Sequence, residues 1–335
     1  MIQFLVLETS LVEKAHLITD EYISYENGEL WKEKSHPPIS WHSYAAAFNG
    51  RFISAPHEKM KECVEWADVV LVTINYSPKA SQKIIQHIQS LGKIVFSAFH
   101  ENGFAFQRNA KNLQWLKEFR DCANQADYFL TYPMDYIFRD VYKNLGIEEQ
   151  KLVYLPQPYD LNRAHEFTTP EDERAGIFIG PRRKDDELER NWILNIIRAA
   201  GTILKRDDVN PIISLINSSS ISNEKLRDDL QGLYPSIIFE VYSSMPYEDY
   251  LRLIGKHQYY INDDSSSTQG QCDADALYVG VRPLDISNQK FYTDFGKLYK
   301  DTTLWPNDFM RKYCSFENCR ENIEFLLIIK KNHEN

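Results

Sequence analysis

Residues 262–285, NDDSSSTQGQCDADALYVGVRPLD, gather groups able to bind an anion and a sugar diol within one short stretch. Ser267 and Thr268 offer hydroxyls and backbone N–H groups. Gly270 lets the chain approach a ligand closely at a helix start, where unpaired N–H groups favour negative charge. Asp275 follows five positions later and should lie in the next turn or so of that helix, as an acidic acceptor for a ribose diol. Loop, helix start and carboxylate together read as half of a nucleotide site. An ordinary strand-turn-helix connection is the plainer alternative. Two further groups sit at strand ends. The run Gly180-Pro181-Arg182-Arg183-Lys184 is a basic turn, balanced in sequence by Asp185, Asp186 and Glu187. His100 and Glu101 follow the apolar run 93–99; a lone His at such a place is often structural.

The elements that must position these residues alternate in type. Ile2–Leu7 is short and apolar, as a buried parallel strand should be. The pattern then weakens from Thr19 to Ile53, where Tyr22, Trp31, Trp41 and the Pro37-Pro38 pair give no clear period. Regularity returns with a helix at 58–66, a strand at 68–74, a helix at 79–91, a strand at 93–99, a helix at 109–124, a strand at 127–131, a helix at 135–145 and a strand at 151–156. Residues 161–174 are polar, carry Pro170 and lack periodicity, which suits an exposed connection. A second series follows: strand 175–179, helix 187–204, strand 211–216, helix 223–233, strand 236–241, a helix from Tyr247, a strand before Asn262, the helix 268–279 and a strand after Gly280. Tyr247, Tyr250, Leu251 and Ile254 have the spacing of core positions. Strands alternating with helices of this length imply parallel sheets, whose ligands bind at the carboxyl ends of the strands. A helix-like tail closes the chain near 319–330.

The block around Gly270 resembles that of retaining glycosyltransferases of the GT-B fold, above all glycosyltransferase family 4. Gly270 matches the inner Gly of the family's Glu-x7-Glu block, Asp275 stands at the second Glu, and ADALYVGVRPL is similar to its small-residue helix ending in Gly-x-Pro. Ser267 replaces the first Glu, and no glycine-rich loop follows the first strand. The run DYFLTYPMDYIFRDVYKNLGIEEQKLVYLPQPYD is similar, element for element, to the close of the family's N-domain. The resemblance implies an α/β fold of two Rossmann-like domains facing a cleft. Residues 1–160 form the acceptor-side domain, with acceptor-facing loops between 19 and 53. The linker is 161–174, and 175–288 is the donor domain. By the same resemblance the tail, 289–335, should be helical and pack back on the first domain.

The implied activity is transfer of a sugar from a nucleoside-diphosphate sugar to a hydroxyl of a glycan or small-molecule acceptor. Arg183 and Lys184, with Arg182 and Gly180 beside them, would clamp the diphosphate, since Arg offers a planar fork of donors and Lys a point charge. Ser267, Thr268 and Gly270 would contact phosphate or sugar, Asp275 the ribose, and His100, with Glu101 next to it, would face the anomeric centre. The nucleotide sugar is a co-substrate, so no cofactor is expected, and basic groups and helix ends would stand in for a metal. Ser267 keeps a non-catalytic binding module open as an alternative. An epimerase of nucleotide sugars is another, and glycosylation of a hydroxylated nucleobase in DNA a third.

Composition narrows the classes. At 335 residues the chain can bury two cores. A net charge of -10 argues against a dedicated nucleic-acid binder. Five cysteines without a CxxC pair, and nine His without metal-ligand spacing, indicate neither a disulfide framework nor a zinc site. The start MIQFLVLETS has no basic leader, no run approaches a membrane span, and a reducing cytoplasm is the expected compartment.

Overall fold

The computed structural model describes residues 2–9, 22–26, 41–75, 77–99, 103–131, 136–182, 192–217, 221–262, 271–284 and 307–334. Two compact units result: Met1–Asp160 with Lys312–Asn335, and Leu161–Arg311.

In the first unit the described residues form β1 (Phe4–Glu8), β2 (Tyr22–Ser24), α1 (Trp41–Ala47), β3 (Arg51–Ser54), α2 (Met60–Trp66), β4 (Val69–Ile74), α3 (Pro78–Ser90), β5 (Ile94–Phe99), α4 (Gly103–Ala110), α5 (Leu113–Gln125), β6 (Tyr128–Thr131), α6 (Tyr136–Leu145) and β7 (Leu152–Tyr154). Their sheet runs β2-β3-β1-β4-β5-β6-β7, parallel throughout except for the antiparallel edge strand β2. Both faces of this sheet are covered, so β4 is buried at all six positions, which is why its sequence VVLVTI does not alternate. Among the described residues, the stretch with no clear period, 19–53, supplies β2, α1 and most of β3. Elements of three to seven residues are too short to show a period.

The helix expected at 109–124 is α5, beginning at Leu113, and a separate helix, α4, precedes it. Asn112 caps α5, its side chain accepting from the N–H groups of Gln114 and Trp115 at 3.0 and 3.3 Å. α4 and α5 pack against each other, and their rings fill one side of the sheet. Phe106 lies edge-on to Phe99 at 5.7 Å, Trp115 at 5.5 Å and Phe119 at 5.3 Å, while Phe129 and Tyr142 complete the cluster. Much of the aromatic content is therefore core. On the other face Phe4 stacks on Phe48 at 4.6 Å, and the Tyr44 hydroxyl donates to the Leu155 carbonyl at 2.9 Å.

The chain returns to this unit at its far end. α11 (Asn307–Cys314) leads back in, Tyr159 is clasped by backbone bonds to Cys314 and Phe316, and α12 (Phe316–Glu334) lies against α1. Cys319 and Ile323 on α12 are buried in the Phe4 core. Arg320 donates to the Ala47 carbonyl at 2.6 Å, the Tyr128 hydroxyl donates to Leu326, and Lys330 pairs with Asp127.

The second unit contains β8 (Ile177–Arg182), α7 (Trp192–Ile203), β9 (Ile212–Asn217), α8 (Asn223–Leu233), β10 (Ile238–Tyr242), α9 (Tyr247–Gly255), β11 (Tyr259–Ile261), α10 (Gln271–Tyr278) and β12 (Arg282–Pro283). Its described strands are ordered β10-β9-β8-β11-β12, all parallel. Residues 161–174, expected as an exposed connection, hold two 3-10 turns, and Phe167 among them is buried. All five cysteines are buried and free. No helix among the described residues is long and apolar enough to cross a membrane.

His257 sits buried between α9 and β11, with Nδ1 at 2.8 Å from the Leu253 carbonyl. A carbonyl only accepts, so Nδ1 carries the proton. Burial holds the imidazole below its ordinary 6.5. The unfolded chain therefore binds the proton more tightly, and stability present above pH 6.5 is lost as pH falls through the folded value. His257→Phe should flatten the drop in urea midpoint of the second unit between pH 7.5 and 5.5. In the first unit, Ile323→Ala removes a fully buried side chain of α12 and should cost about 2–5 kcal/mol in urea unfolding.

Candidate functional site

The strand order of the second unit places its ligand crevice. From β8 the chain steps outward to β9 and β10, then crosses back to β11 on the other side of β8. Connections leaving β8 and β11 thus diverge at their carboxyl ends, and such a reversal is where open α/β sheets bind ligands.

Three features converge there. The first is a bulge. Ile179 pairs with Leu215, but Arg182 pairs with Asn217, so β8 spends three steps where β9 spends two. Pro181 has no N–H to give to a central strand, and a bulge is one of the places a sheet admits it. The expected strand end at Ile179 is in fact this irregularity, and β8 runs on to Arg182.

The second is a close approach. One step beyond the last pair of β8 and β11, Ile179 with Ile261, stand Gly180 and Asn262. A Cβ at position 180 would lie 2.5 Å from Asn262 Oδ1 and 3.2 Å from Cys272 Sγ. A side chain there would force the Asn262 carboxamide to shift.

The third is the acidic face of α10. Asp275 is 1% exposed and accepts a hydrogen bond from the Tyr247 hydroxyl of α9 at 2.7 Å. Tyr250 is buried next to it, and burial pushes its hydroxyl well above the usual tyrosine range, with Cys272 and Asp275 adding to the effect. Asp273 is buried on the same helix. α10 stops in a Schellman arrangement: Gly280, at φ +77°, donates to Leu277, and Val281 donates to Ala276 at 2.8 Å. The Gly-x-Pro end of the motif is thus a helix stop followed by a strand.

Of the residues singled out from sequence, the structure brings Gly180, the backbone of Arg182 and the helix of Asp275 to one end of one sheet. His100, Glu101, Arg183, Lys184, Ser267, Thr268 and Gly270 lie outside the described residues. Two residues escaped the sequence reading. Tyr247 has core spacing, yet its hydroxyl meets Asp275. Asn262 opens the motif but has no carboxylate or cation to draw notice; its signal is position, a polar residue directly after the apolar run YYI.

In the first unit the matching end of the sheet, at β1 and β4, is closed by hydroxyls. The Thr9 N–H donates to Thr73 Oγ1 at 3.1 Å, Thr9 Oγ1 donates to the Thr73 carbonyl, and it lies 3.0 Å from Ser81 Oγ on α3. Glu8 accepts from Ser54. At the opposite, amino-terminal edge a pocket of about 380 Å³ is lined by Phe48, Arg51 and Trp66, with Arg51 stacked on Trp66 at 4.2 Å. It lies away from the ends where such sheets bind ligands.

The sequence matches no protein-family model and no curated protein. Solved structures do resemble it. An alpha-glucosyltransferase in complex with UDP-glucose and DNA containing an abasic site aligns at a TM-score of 0.53 and 10% identity, over 97% of this chain and 99% of that one. The apo form of the lipopolysaccharide outer core galactosyltransferase WaaB aligns at 0.51 and 12%, over 98% and 100%. OtsA in its apo structure aligns at 0.52 and 7%, over 97% and 99%. The fold is that of the GT-B glycosyltransferases, the fold the Gly270 block implied.

Replacing Tyr247 by Phe removes a donor from a buried carboxylate. It should lower the stability of the second unit by about 1–3 kcal/mol in urea unfolding. A value near zero would mean that Asp275 does not depend on that hydroxyl.

Proposed function

We propose that this protein is a retaining, hexosyl-type glycosyltransferase of the family 4 kind. It moves a sugar from a nucleoside-diphosphate sugar to the hydroxyl of a glycan or other polar acceptor. The observation carrying this reading is the convergence at Gly180. That residue, three positions before Arg183, lies against Cys272, three positions before Asp275, at the strand-order reversal of the second unit. The strand that precedes the cationic run in sequence and the helix that carries Asp275 thus meet at one point, which supports this reading.

In this reading the bond from the anomeric carbon to the diphosphate oxygen breaks, and a bond to the acceptor oxygen forms on the same face. The diphosphate departs with the electron pair, and the acceptor's proton leaves its oxygen. Arg183 and Lys184, supported by Arg182, stabilise the charge gathering on the diphosphate, a role in which fixed cations in a water-poor site are worth most. Ser267, Thr268 and Gly270 hold phosphate or sugar, Asp275 the ribose, and His100 with Glu101 faces the anomeric centre. These basic groups and the start of α10 supply what a divalent ion would otherwise supply. With its thiols free and buried, the protein suits a reducing cytoplasm.

Ser267, standing where the family has Glu, supports a second reading, a module that binds a nucleotide sugar without turnover. Incubation with UDP-, GDP-, ADP- and dTDP-sugars separates the readings. Transfer predicts slow hydrolysis of one donor, reduced about a hundredfold in Lys184→Ala. Tight binding without diphosphate release marks the module, and an altered sugar on an intact nucleotide marks an epimerase.

A further inference from the structure

We infer that the side-chain amide of Asn262 is a contact for the diphosphate of the bound nucleotide, a contact that rests on the donor site proposed above. Asn262 is 3% exposed, and its Nδ2 is buried with no hydrogen-bond partner. Buried amide N–H groups are rarely left unpaired, because the lost hydration is not returned. The comparison with β9 sharpens this. Asn217 also ends a strand at this edge, and its Nδ2 donates to the Ile221 carbonyl at 2.8 Å and to Asn223 Oδ1 at 2.9 Å. One strand-end amide is spent inside the fold and the other is held in reserve.

Its position says for what. Asn262 stands at the strand-order reversal, where ligands of such sheets bind, and its Oδ1 is the atom nearest the space above Gly180. Nδ2 is therefore the group left to donate. The same Gly180 abuts Cys272 in the first turn of α10, an eight-residue helix whose starting N–H groups also donate and favour negative charge. An unpaired amide donor beside a helix start favours an acceptor-rich anion. A phosphate oxygen of a nucleoside diphosphate meets that need, whereas a cation would find no acceptor in Nδ2. The absence of a side chain at position 180 also leaves the Asn262 carboxamide where it stands, since a Cβ there would lie 2.5 Å from its Oδ1.

The test titrates UDP, GDP, ADP and dTDP, each beside its monophosphate, into the full-length protein by calorimetry. Asn262→Asp keeps the shape but turns a donor into a carboxylate. The diphosphate that binds the unaltered protein should lose at least tenfold in affinity, its monophosphate less than threefold. Asn262→Asp places a carboxylate in a 3%-exposed position, so its melting temperature without ligand should fall, and binding is measured well below that temperature. Should Asn262→Asp not fold, Asn262→Ala serves, with a loss of at least threefold expected. A folded variant that binds the diphosphate within twofold of the unaltered protein overturns the contact while leaving the donor site standing. If none of the four diphosphates binds the unaltered protein, the donor site itself is wrong and the contact goes with it.

Discussion

The tight passage of β8 past Asn262 and Cys272 is the constraint on which the second unit turns. It exists because position 180 has no side chain, and because the bulge at Pro181 then carries the strand onward. Everything with chemical promise in this unit hangs from that crossing. β8 brings Gly180 and the backbone of Arg182 there, the buried amide of Asn262 follows β11, and α10 presents Asp275 to Tyr247. A wider crossing would separate the three by a side chain's width, more than a hydrogen bond can bridge.

The first unit solves a different problem at the matching edge. Relatives of the resembled family place glycines after the first strand, and this chain places Glu8 and Thr9. Glycine gives room for a ligand; the Thr9, Thr73 and Ser81 hydroxyls instead bind β1, β4 and α3 to one another. That edge is knit by short polar side chains, and the aromatic mass below, centred on Phe106 and Phe119, holds the sheet rigid under it.

How much could be read in advance follows from the length of each signal. Strands such as β4 and helices such as α3 repeat an apolar pattern long enough to be seen, and the alternation of the two gave the fold class. Short pieces were invisible: β2 has three residues and β3 four, and both join a sheet through partners distant in sequence. The bulge was missed because a Gly-Pro pair reads as the end of a strand, and only the pairing on β9 reveals that the strand continues. Asp275 was legible as a carboxylate on a helix, but not that a tyrosine with core spacing would cap it. Asn262 was in plain view and unremarked, since nothing in its type sets it apart until burial and pairing are known.

The return of α12 to the first unit makes that unit discontinuous, with about half the chain inserted between its two parts. A ribosome releases residues 1–160 long before Ile323 and Cys319, which complete the core over Phe4 and Phe48. During synthesis that apolar face lacks α12 until the whole inserted unit, which is continuous in sequence, has been made. The last residues made are thus the ones that close the core begun by the first.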